Sequence, residues 1–249
     1  MMVAIHQPHY FPWLGYLAKM ASVDKFILMD TVQLENKSYM CRNRILNRNG
    51  EIIYLTIPCL KKGYREKKNR DIKIDNSSKW QKQQKARIRE IYKYSPYFSE
   101  VMEKISFIFE KEYEYLIDVT CDSIKVLMEI LDINTEIIFQ SDLDTEDQIT
   151  EKTFTKEEKR CNDVLLLCKS VGADGYLTGT GASVNFIDED RFVANNIKLF
   201  FQKYEFPKYE QRFSKEFIPN ISTLDLLLNM GIRCSREIFW DSIKVNEMI

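Results

Sequence analysis

The sequence predicts an α/β fold with a Rossmann-like, open and mainly parallel sheet, flanking helices and a helical lobe. Three observations lead there. A short apolar run at residues 1–6 stops at His6-Gln7-Pro8, as a strand does on entering a loop. Trp13, Leu14, Leu17 and Met20 then fall at helical spacing over residues 13–22. Residues 25–30 (KFILMD) follow as an apolar run of the kind buried on both faces of a parallel sheet. Strand, helix and strand in this order make a βαβ unit, whose crossover is expected to be right-handed.

Later segments extend the pattern. Residues 52–58 and 71–75 read as strands. Ser77 or Ser78 is placed to cap a helix over residues 80–94, which Pro96 ends. Helices follow at 98–109 and 113–131, a strand at 136–140, a helix at 156–171 and strands at 175–178 and 198–204. A late helix at 223–230 is ended by Gly231. The mostly helical stretch 76–131 is the expected lobe, and residues 1–249 read as a single domain.

Bulk composition narrows the function classes. A chain of 249 residues, 45% hydrophobic and 29% charged, can bury a substantial core. Lys and Arg number 36 against 37 Asp and Glu, so no basic excess points to a nucleic-acid partner. No apolar run approaches the roughly 20 residues of a membrane span. Polar and proline residues arrive too early for a signal peptide. The six cysteines are scattered, without a Cys-x-x-Cys pair, which fits reduced thiols and a cytoplasmic location. The expected partner is a small molecule (sugar, amino acid or nucleotide), and a homodimer is left open.

The opening segment IHQPHYFPWLG carries the sharpest signal. It holds the chain's two histidines, His6 and His9, where the first strand gives way to the first helix. Open α/β sheets bind ligands at that kind of junction. Pro8 and Pro12 stiffen the loop, and Gly15 permits close approach. Three readings compete: a rigid connection with satisfied side chains, a metal site, and a phosphate site. A catalytic zinc needs three protein ligands, and no third histidine exists, so no metal is assigned. For phosphate, two imidazoles and a helix N-terminus would supply donors, with Gln7, Tyr10 and Trp13 beside them.

Other segments qualify more weakly. Arg42, Asn43 and Arg44 follow a polar stretch containing Gln33, and a guanidinium suits a carboxylate or phosphate; Arg42 is the member assigned to catalysis. Residues 61–70, opening with Lys61, form the one clear basic run, either a solvated loop or a lid over phosphates. Thr178-Gly179-Thr180-Gly181 follows a short strand and is either a loop that contacts the ligand or an ordinary tight turn; without Lys and Ser/Thr it is no P-loop. Tyr204, Tyr209 and Gln211 suit a sugar or nucleoside, or else rim packing.

The string HQPHYFPWLGY, with a buried strand ending at Asp30, resembles the start of the WbqC-like family. Arg42-Asn43-Arg44, Leu55-Thr56-Ile57-Pro58 and Tyr176-Leu177-Thr178-Gly179 extend the likeness. So do Tyr204-x-x-Pro207-x-Tyr209-x-Gln211 and Ile221-Ser222-Thr223-Leu224-Asp225-Leu226, running to Gly231. This resemblance implies a bacterial enzyme of O-antigen and related polysaccharide biosynthesis, with glycine as a candidate transferred group. Strand, His-x-x-His, helix, and a strand ending in an acid is also similar to the HIGH-motif nucleotidyltransferases, pantothenate synthetase among them. That likeness implies ATP with Mg, its phosphate oxygens held by His6 and His9 as pyrophosphate leaves. The usual glycine between the histidines is replaced by Gln7-Pro8, and no KMSKS-like segment follows. Three functions stay open: ATP-dependent carboxylate activation with amide formation on a sugar, transfer from a pre-activated donor, and a non-catalytic role in polysaccharide assembly.

Overall fold

The computed structural model describes residues 1–35, 37–60, 63, 66–144 and 155–245. Five strands form an all-parallel sheet in the order β5-β2-β1-β6-β7, comprising β1 (Met2–His6), β2 (Lys25–Leu28), β5 (Glu136–Phe139), β6 (Gly175–Gly179) and β7 (Lys198–Gln202). This is the Rossmann-like sheet that the strand–helix–strand pattern predicts. The chain leaves β1 for β2 on one side and reaches β6 on the other, so the order reverses between β1 and β6. Ladder pairing of these two strands stops at Ala4 with Leu177, one residue short of Ile5 and two short of His6. In open α/β sheets ligands bind outside the C-terminal ends of the strands at such a switch point.

Alternation along the strands sorts side chains to two cores. Val3, Ile5, Ile27 and Tyr176 face one layer, built by helices α5 (Lys156–Ser170) and α6 (Glu189–Ala194). Ala4, Phe26, Leu28 and Leu177 face the larger core. There they meet α1 (Leu14–Ala21), α2 (Trp80–Tyr92), α3 (Phe98–Ile105), α4 (Leu116–Leu131) and the long C-terminal α7 (Thr223–Val245). His6 shares the parity of Ala4 and faces this second layer. Thr178 shares that of Tyr176 and faces the first.

Several elements depart from the sequence reading. Arg42–Leu46 is a strand, β3, paired antiparallel with β4 (Ile52–Thr56) in a separate two-stranded sheet. Residues 71–75 do not form a strand: a 3-10 turn at Asn69–Asp71 is followed by isolated bridges, Lys73 with Tyr115 and Cys59 with Ile74. The alternating burial of Ile72 and Ile74 imitates a strand, and the segment bonds to residues 58–60 on one side and 114–116 on the other, but neither contact extends beyond a single bridge. Neither Ser77 nor Ser78 caps α2. Asp75 instead caps a 3-10 turn at Asn76–Ser78, and Lys79 enters the helix with left-handed backbone, φ 49°. Gly231 ends the first leg of α7, as expected, but with φ 78° and ψ 165° it makes a kink from which a second leg runs to Val245. No helix among the described residues is long and apolar enough to cross a membrane.

Candidate active site at the sheet switch point

The loop after β1 is fastened by four buried side chains. Asn43, fully buried on β3, donates from Nδ2 to the carbonyls of Tyr10 (3.1 Å) and Phe11 (2.7 Å). Ser123 on α4 accepts from the Phe11 amide at 3.0 Å. Ser222 donates to the Phe11 carbonyl and Thr223, opening α7, to that of Pro12, each at 2.8 Å. Phe11 itself has φ 40°, a conformation uncommon outside glycine. Such backbone persists only where the surroundings over-determine it, and these four side chains do so. Each buried hydrogen bond contributes on the order of 1 kcal/mol net.

That fastening brings the two imidazoles together. The ring centroids of His6 and His9 lie 4.7 Å apart, edge to face. Tyr16 on α1 sits 5.0 Å from both, stacked on His9, while Trp13 (5.0 Å) and Tyr39 (5.6 Å) flank His9. His6 is half-buried; His9 is 5% exposed, with its Nδ1 buried and without a hydrogen-bond partner. His6 Nδ1 lies 3.0 Å from the Gln7 carbonyl. A carbonyl only accepts, so Nδ1 carries the proton and Nε2 presents a lone pair. Burial, aided by the charge of Lys19, lowers the His6 pKa to about 4, against the smaller raising effect of Gln7. His9 is pushed well below the ordinary range by burial, then by His6 and Lys19. Both rings are therefore neutral at pH 7. The expectation that two imidazoles donate to phosphate changes here: neutral His6 offers an acceptor, the geometry of a base.

The other expected residues scatter. Gln7 holds the site through its carbonyl, which accepts from the Tyr16 hydroxyl at 3.2 Å. Trp13 lines it. Tyr10 does not: it is fully buried, and its hydroxyl donates to Gln84. Asn43 is a fastener and not a ligand contact, because its amide is taken up by backbone. Arg42 reaches the Lys37 carbonyl and lies over the Tyr54 ring at 4.2 Å, with no contact to the imidazoles or their aromatic neighbours. Arg44 comes closer, its guanidinium 5.7 Å over Tyr39 and donating to the Asn220 carbonyl. Asp30 is buried, accepts from the Ser141 amide and pairs with Arg70 at 3.7 Å. Gln33 forms an isolated bridge with Lys68. Lys61 lies outside the described residues.

Thr178 is fully buried on the far face of the sheet from His6. The turn Gly179-Thr180-Gly181 lies at the end of β6, beyond the last pairing with β1, with Thr180 and Gly181 exposed. Tyr204 packs against Gly15, where an added Cβ would come 3.0 Å from its ring, and its hydroxyl meets Ser242 at 3.0 Å. Tyr209 and Gln211 serve the fold: Tyr209 and Tyr92 donate to the buried carboxylate of Asp225 (3.0 and 2.6 Å), and Gln211 clasps the backbone of Ile218. Tyr209 also lines a shallow cleft with Leu14, Phe206, Phe217 and Asn220.

Sequence reasoning missed Tyr16, Tyr39, Ser123 and Lys19. Only Lys19 left a legible signal: it is a cation on a helix that buries every residue but Ala21.

The family model described as "WbqC-like protein family" matches residues 7–237. An uncharacterized protein of Mycobacterium tuberculosis, Rv1507c, is 29% identical over 231 residues, covering 92% of this chain and 94% of that protein. No solved structure matches. Residues 7–237 run from the imidazole loop through its fasteners Asn43, Ser222 and Thr223 into α7, and the chain belongs to the WbqC-like protein family.

Proposed function

We propose that the chain is a biosynthetic enzyme that joins an amino acid or acyl group, glycine being a candidate, to an amine on a sugar or related small molecule. The carrying observation is the neutral, preorganised imidazole pair at the C-terminal end of β1, where the strand order reverses toward β6, with the lone pair of His6 Nε2 unengaged. In this reading a carboxylate oxygen attacks the α-phosphorus of ATP and pyrophosphate leaves, giving an acyl adenylate. The amine nitrogen then attacks the acyl carbon, AMP departs with the C–O bonding pair, and His6 Nε2 takes the amine proton. Trp13, Tyr16 and Tyr39 shield the reacting groups from water, and the Gly179–Gly181 turn lets a ligand approach the backbone.

The fit to magnesium rests on the nucleotide. Among the described residues no group of three His, Cys, Asp or Glu could hold a metal, and the carboxylate of Asp30 is engaged by Arg70 and Ser141. The ion would therefore arrive on the phosphate oxygens of ATP. Transfer from a pre-activated donor is the second reading, favoured by Gln7-Pro8 between the histidines and the lack of a KMSKS-like segment.

Pyrophosphate release from ATP–Mg with glycine and other small amino acids tests the first reading. The expected result is amino-acid-dependent release by the wild-type protein, and, with an acceptor amine such as hydroxylamine present, a loss of 10²-fold or more in amide formation in His6→Gln, the step whose proton His6 takes. Absence of ATP binding by calorimetry would remove it. Labelling of a sugar from an activated donor without ATP would establish the second.

A further inference from the structure

Lys19 lies one helical turn beyond Tyr16 on α1, so both side chains share a face, and the Lys19 stem leans back toward the start of the helix. There the Tyr16 ring touches both imidazoles. Lys19 is 6% exposed. Its charge acts on His6 and His9 alike. Yet among the described residues its ammonium has neither hydrogen-bond nor ion-pair partner. Other buried ionisable groups nearby are provided for: Asp30 has Arg70 and Ser141, and Asp225 has Tyr92 and Tyr209. On one of the rings that this charge acts on, His9 Nδ1 is buried and unpartnered. Buried polar groups are ordinarily paired; the Lys19 side chain is buried while its ammonium nitrogen keeps a route to solvent, which leaves that cation able to take a counter-ion from outside the chain.

We infer that Lys19 is the anion anchor of this site and takes a phosphoryl group of the ligand against its ammonium, with His9 beside it. This rests on the proposed nucleotide reading and deepens it: the cation, and not the neutral imidazoles, supplies the attraction for phosphate. It also divides the labour, leaving His6 free to accept a proton.

The test is calorimetric titration of inorganic pyrophosphate and of ATP–Mg into the full chain, in wild-type and Lys19→Met forms. Methionine keeps the length and removes the charge, so the fold should be as heat-stable as wild type or more so. Pyrophosphate affinity is expected to fall at least tenfold. In the wild-type protein, acetylation of Lys19 read by mass spectrometry should be slowed by pyrophosphate while surface lysines are unaffected; this arm holds even if the variant fails to fold. Binding that survives Lys19→Met, or labelling that pyrophosphate does not slow, overturns the assignment of Lys19 alone. A wild-type protein that binds neither pyrophosphate nor ATP removes the nucleotide reading, and this inference with it.

Discussion

At the residue scale the site is a set of buried polar groups whose neighbours decide their charge. His6 titrates near pH 4 when folded but near its ordinary 6.5 when unfolded, and His9 is lowered further. The unfolded chain thus binds more protons as pH falls below about 6.5, and stability drops progressively toward about 4. Urea midpoints at pH 7 and pH 5 should differ in that direction, and a His6→Gln/His9→Gln variant should lose most of the difference. Asn43→Ala should cost about 1–3 kcal/mol, because the Tyr10 carbonyl loses the donor Asn43 gives it and that of Phe11 one of two. Chemical denaturation measures it. The sequence displays Asn43 only as the middle of a polar triplet. Burial separates it from its flanking arginines, and strand alternation is what turns it inward.

At the scale of elements, the loop after β1 is held by β3, α4 and the start of α7, which lie 30 to 210 residues away along the chain. The motif Ile221-Ser222-Thr223 therefore acts as a clamp on Phe11 and Pro12. Gly231 has a comparable duty within α7. Its backbone, φ 78° and ψ 165°, is one that glycine alone adopts readily, and an added Cβ would come 2.5 Å from the Tyr97 ring. Gly231→Ala should lower stability by about 1–3 kcal/mol and shift the melting temperature accordingly, while leaving ligand binding at the distant imidazole pair intact. Most helices and parallel strands were legible, because their periodicity and apolar runs are local. The strand β3 was not, since Arg42-Asn43-Arg44-Ile45-Leu46 reads as a turn until β4 is there to pair with it.

At the scale of the whole molecule, the parallel sheet places the imidazole pair at its topological switch point, so a ligand there touches both halves of the fold. A ligand that binds only the folded chain should stabilise it by about 2.7 kcal/mol at a hundred times its Kd. For a chain of this size that is a rise of roughly 5–10 °C in melting temperature with ATP–Mg, cut to about half or less in the Lys19→Met variant by a tenfold or greater loss of affinity. Differential scanning fluorimetry reads both. The sequence by itself determined the α/β class, the strand–loop–helix setting of His6 and His9, and the family likeness along nearly the whole chain. These depend on neighbouring residues, on which turn chemistry and periodicity act. Only the tertiary structure decided that His6 is a neutral acceptor, that Tyr10, Tyr209 and Gln211 are tied into the fold, and that Lys19 is buried and unpaired on the helix that carries Tyr16. Each of those turns on burial and on partners far away in the chain, and the charge and hydrogen bonding of a side chain follow from what surrounds it after folding.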